Sequence, residues 1–92
     1  MVPPEDRGQY LYEVDADADP DVWLRVAQIF ILANVAPVRA ILTQGSPARV
    51  RLTIAMQGLG EPIAELIRRK LLQLTCVHEV TLRRGGVAGP FV

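Results

Sequence analysis

Four aspartates at alternate positions, Asp15, Asp17, Asp19 and Asp21, form the densest set of potential ligands in this 92-residue chain. Alternating oxygens are what a calcium loop requires. With Asp15 as the first ligand, however, the sharp-turn glycine falls on Pro20 and the bidentate glutamate on Val26. That signature fails, and a solvated strand edge followed by a helix cap accounts for the run. Cys76 and His78 lie two apart, a spacing that puts both on one side of a strand. A structural zinc site needs four ligands, and the chain holds no other His or Cys. No residue is placed by sequence to orient His78 as a base for a nucleophile. The two therefore read as packing residues, and the sequence predicts no metal, no cofactor and no enzyme activity.

Arg68, Arg69 and Lys70 make a short basic patch. Nucleic-acid modules built on a small sheet stack bases on exposed strand aromatics. Here Tyr10 and Tyr12 fall on the expected core face of their strand, and the matching strand at residues 49–57 has no aromatic. A solvated helix end is the reading, with no nucleic-acid partner. AspAlaAspPro at 17–20 repels anions where an acylphosphatase-like loop would bind one, and no Cys-x-x-Cys is present to carry a metal.

These residues need a frame. The length allows one domain with a modest core. Half of the residues are apolar and the formal net charge is zero, which argues against disorder and gives no general pull to nucleic acid or anionic membrane. The single cysteine fits a reducing compartment. No apolar run is long enough to span a bilayer and the acidic start is unlike a signal peptide, so the expected location is cytoplasmic.

Periodicity supplies the elements. Residues 1–8 (MVPPEDRG) and 85–92 (GGVAGPFV) read as flexible tails flanking a domain at 9–84. A strand is expected over 9–16, with Tyr10, Tyr12, Val14 and Ala16 on one face. Asp19 as N-cap and Pro20 as first helical residue open a helix over 20–33, whose inner face is Val22, Val26, Ile29, Phe30 and Ala33. Asn34 suits a left-handed stop, and Pro37 blocks continuation. Strands over 38–43 and 49–57 flank a hairpin turn at 44–47, and Val50, Leu52, Ile54 and Met56 should face the core. A second helix from Glu61–Pro62 presents Ile63, Leu66, Ile67, Leu71 and Leu74, and a strand over 77–83 closes the domain. The order β-α-β-β-α-β, with right-handed crossovers, gives an α+β ferredoxin-like fold. Two helices cover one face of a four-stranded antiparallel sheet whose first and third strands are central. Glu13 and Asp15 should then meet Arg49 or Arg51 across the open face.

The first helix offers a further clue. Leu24, Ile31 and Leu32 lie off its inner face, and only Arg25 and Gln28 mark a wet side. A helix apolar most of the way round is buried on more than one side, which a lone domain of this size cannot provide. A homodimer or larger complex follows as the expectation. Trp23 is expected to pack in the core, with a partner contact as the alternative.

The AspProAspVal turn, LeuArgValAlaGlnIlePhe and the order of elements over residues 10–83 resemble an ACT domain, most closely that of the small regulatory subunit of acetolactate synthase. The resemblance implies a non-catalytic regulatory dimer that binds a small amino acid and modulates the catalytic large subunit of a biosynthetic enzyme. The implied contacts are Asp19, Pro20, Asp21, Val22 and Trp23 of one chain with Asn34, Val35 and Ala36 of its partner. Two positions differ from the family pattern: Asp21 replaces the turn glycine, and Ala36 replaces the polar Asn after the helix. The alternative is therefore a degenerate ACT-like module kept for assembly, without a ligand.

Overall fold

The computed structural model describes residues 9–84, so the expectations for the two tails fall outside the described residues. The elements run β1 (Tyr10–Asp17), α1 (Val22–Leu32), β2 (Arg39–Ser46), β3 (Arg49–Met56), α2 (Glu61–Leu72) and β4 (Val77–Arg84). All strand pairs are antiparallel in the order β2-β3-β1-β4, the ferredoxin-like arrangement with β1 and β3 central.

The core follows the alternation. Tyr10, Tyr12, Val14 and Ala16 of β1 and Val50, Leu52, Ile54 and Met56 of β3 are buried with Val22, Val26, Ile29 and Phe30 of α1. From α2 the buried stripe is Ala64, Ile67 and Leu71. The expected inner face of this helix was too wide, because Ile63 and Leu66 lie to its sides and are exposed. Tyr12 ties the layers together: its hydroxyl donates to the Ala64 carbonyl at 2.8 Å, and its ring meets Phe30 edge-on at 5.6 Å. Burial pushes the Tyr12 phenol pKa upward, so it remains a donor.

Turn chemistry sets the element ends. The β2–β3 hairpin turns at Pro47–Ala48, later than expected. A register shift between Gln44 and Ser46 places one extra residue, Gly45, in β2, and this bulge lets the strand continue past the glycine. Asn34 adopts φ 60° after α1. Its N–H reaches Ile31 O at 2.9 Å and that of Val35 reaches Phe30 O at 3.1 Å, closing the helix as a left-handed cap should. On the open sheet face Arg49 pairs with Asp15 at 2.9 Å, one of the expected pairs, reached diagonally because the register sets Asp15 directly opposite Arg51 and Arg49 opposite Asp17. Glu13 turns the other way, to Arg83 of β4 at 3.4 Å.

Candidate functional site

The segment between β1 and α1 is a turn before it is a helix. The Val22 N–H donates to Asp19 O at 3.1 Å, and Asp21 has φ −101° and ψ 13°. With Pro20 between them, this is a type I turn, the geometry that favours Asp first and Pro second. Helix α1 therefore begins at Val22, two residues later than the cap rule suggests. Asp21, not Asp19, occupies the N-cap position, and its side chain caps nothing. Its carboxylate instead accepts from Arg25 Nε at 2.9 Å, an i,i+4 pair. That hydrogen bond holds the Asp21 carboxyl below the usual carboxylate range. A fixed negative charge thus stands at the positive end of the helix, where an approaching ligand carboxylate would meet it.

Asn34, Val35 and Ala36 lie at the other end of α1. An 11-residue helix is about 16 Å long, so one chain does not bring them to Asp19–Trp23. A site made from both groups needs two copies of the chain. Trp23 also differs from expectation: it is 40% exposed, outside the core. It lines a shallow apolar hollow of about 370 Å³ with Ala40, Ile41 and Leu42 of β2. Position 23 sits one residue round from the buried Val22, and the strand beside it is too marginal to cover an indole.

Strand β2 is exposed at all eight positions. Leu42 is 48% exposed although its direct cross-strand partner, Leu52, is 1% exposed. Across α1, Leu24 and Ile31 are exposed as expected, and Leu32 is 85% exposed. The turn, Trp23 and β2 therefore form one continuous candidate interface. Ile41 and Leu42 were not among the expected contacts. Their signal was the strand order itself, which leaves β2 at an edge.

The other polar clusters are closed pairs. Asp17, read from the sequence as part of a solvated strand edge, has its Oδ1 2.6 Å from His78 Nε2. His78 is the extra residue in a register shift of β4 against β1, a detail that residue spacing alone does not reveal. Cys76 is buried before β4 and does not share His78's exposed side. Burial raises the Cys76 thiol pKa, the opposite of what a nucleophile requires. Among the described residues no group of three or more His, Cys, Asp or Glu side chains could hold a metal ion. No helix among them is long and apolar enough to cross a membrane.

Comparison with known proteins agrees with this geometry. Residues 5–88 match the family model described as an ACT-like domain. Among solved structures, the C-terminal domain of the MgtC protein from Mycobacterium tuberculosis superposes with a TM-score of 0.73 at 15% identity. That match covers 95% of this chain and 97% of the other. A homoserine dehydrogenase from Thiobacillus denitrificans superposes with a TM-score of 0.72 at 19% identity, covering 90% of this chain and 19% of the enzyme. At these identities the likeness is one of fold. A search of curated proteins finds no match.

Proposed function

Since the chain belongs to the ACT-like domain family, a family of regulatory modules, we propose that it is a non-catalytic regulatory domain that works as a homodimer. The observation that carries this reading is the bare β2 edge with Trp23 beside it, on a chain whose α1 also exposes Leu24, Ile31 and Leu32. An edge strand with unpaired backbone groups and exposed Ile41 and Leu42 suits self-pairing. Such pairing brings a second copy's Asn34–Ala36 within range of the Asp19–Trp23 turn, which a single chain cannot do. A small amino acid held between copies would bias a biosynthetic enzyme's catalytic subunit through its differential affinity for the two states. The acetolactate synthase type of subunit is the partner that the sequence resemblance implies, and a cytoplasmic setting goes with it.

A second reading has an observation of its own. Asp21, locked by Arg25, puts a carboxylate in the turn, which favours an assembly module without a ligand there. A calorimetric screen of the twenty amino acids against wild type and Trp23→Ala separates the two. Binding lost in the variant supports the effector site. Dimerisation with no heat from any amino acid selects the assembly module.

A further inference from the structure

A groove of about 410 Å³ opens between α1 and α2. Its described lining comes from the two helices and the residues that follow them, with none from a strand. The volume lies within the range of small-molecule sites.

The walls call for an aliphatic body. Ile29 and Ile67 are buried and form the floor, where they already belong to the core. Leu32 and Leu66 do not: they stand 85% and 41% exposed on the two sides of the groove. An apolar chain laid between them removes that surface from water. Leu66, Lys70 and Gln73 follow one another at helical spacing and rise about 10 Å along α2. That is about the length of an extended chain of about eight carbons.

The charge selects the other end of the ligand. Lys70 is the only charged residue among the described lining, and among the described residues it has no ion-pair partner. Its neighbour Arg68, by contrast, is taken up by Glu65 at 2.7 Å. An anion therefore meets an uncompensated ammonium at the groove, while a cation meets repulsion. A zwitterion gains nothing over a simple anion, because no carboxylate among the described lining could receive its ammonium. The ends of both helices do little to repel the anion. The Lys70 carbonyl accepts from the Gln73 N–H at 3.1 Å, and the last carbonyls of α1 are closed by Asn34 and Val35.

We propose that the α1–α2 groove binds a medium-chain aliphatic carboxylate. Its chain lies between Leu32 and Leu66 over Ile29 and Ile67, and its carboxylate meets the Lys70 ammonium. The site lies within one chain and is independent of the dimer and of the Asp19–Trp23 turn.

The test is an NMR titration of the full chain, read at amides and methyls, with octanoate and with octylamine and octanol as probes of the same length. The expected result is a saturable shift at Leu32, Leu66 and Lys70, with octanoate bound at least about fivefold more tightly than octylamine. Lys70→Gln should weaken octanoate about threefold and leave octanol unchanged. Leu66→Gln should weaken all three probes about threefold or more. Because Leu66 lies outside the core, that variant should keep the wild-type urea midpoint, which separates ligand loss from unfolding. No saturable shift at the groove would overturn the site, as would equal affinity for octanoate and octylamine. Shifts confined to Trp23 and Leu42 would overturn it while leaving the dimer reading standing.

Discussion

The two edges of the sheet are finished differently. Strand β4 is partly roofed by α2, with Val77 and Val80 buried, and it ends in charged residues that pair with α2 and β1. Strand β2 has similar apolar content at its centre but buries none of its eight residues. Both are edges with one free row of backbone groups, so position alone does not explain the contrast. The cover does: α2 buries its stripe over the β1–β4 side, while α1 turns Leu24, Ile31 and Leu32 outward and leaves Trp23 beside a bare strand. Apolar residues without intramolecular cover mark where a second molecule belongs.

The sharpest way to break this comparison uses two leucines that face each other across it. Leu52→Ala should lower unfolding free energy by about 2–5 kcal/mol, the usual cost of a buried leucine. Its partner Leu42→Ala should cost about 0.5 kcal/mol or less in dilute protein, the range for surface changes. Urea unfolding of both variants measures this, and equal losses would mean that β2 is covered within the chain.

The two tyrosines of β1 sharpen the β4 side. Tyr12→Phe removes the hydrogen bond to Ala64 and should cost about 1 kcal/mol in thermal or urea unfolding. The Tyr10 hydroxyl has no hydrogen-bond partner among the described residues, so Tyr10→Phe should cost nothing measurable. A loss at Tyr10 matching that at Tyr12 would show that its hydroxyl is already satisfied.

The link that carries the chain towards β2 makes a smaller test. Asn34 sits at φ 60°, so Asn34→Ala should destabilise by about 1 kcal/mol whereas Asn34→Gly should be neutral or better. Equal effects of the two would deny the left-handed cap.

Much of this architecture was legible in residue order, and the failures are instructive. Alternation in β1 and β3 identified both core faces, because strand side chains have a strict period of two. Asn34 was legible as a stop because few residues tolerate its conformation. The start of α1 was not, since AspProAsp is equally good as a cap with a first-turn proline and as a type I turn. Arg25, one turn downstream, decides it by drawing the Asp21 side chain outward. The place of Trp23 was hidden for another reason: whether a helix flank is covered depends on the neighbouring strand, which local spacing does not encode.

The smallest effect concerns the turn. In Arg25→Ala, NMR should find the Asp21 carboxyl titrating higher, towards the ordinary carboxylate range, since the bond from Arg25 holds it low. A group with a depressed folded pKa stabilises above its unfolded pKa, and that contribution is lost as pH falls through the folded value. The wild type should therefore lose slightly more stability than the variant on acidification. An unchanged Asp21 titration would mean that the pair does not persist in solution.

Sedimentation equilibrium across protein concentrations from about 1 µM to about 1 mM tests the central claim most directly. The account predicts a reversible monomer–dimer equilibrium in the wild type, with Leu42→Lys weakened at least about tenfold while remaining folded. A wild-type mass that stays monomeric over the whole range would contradict it, as would a dimer indifferent to a charge in the middle of β2.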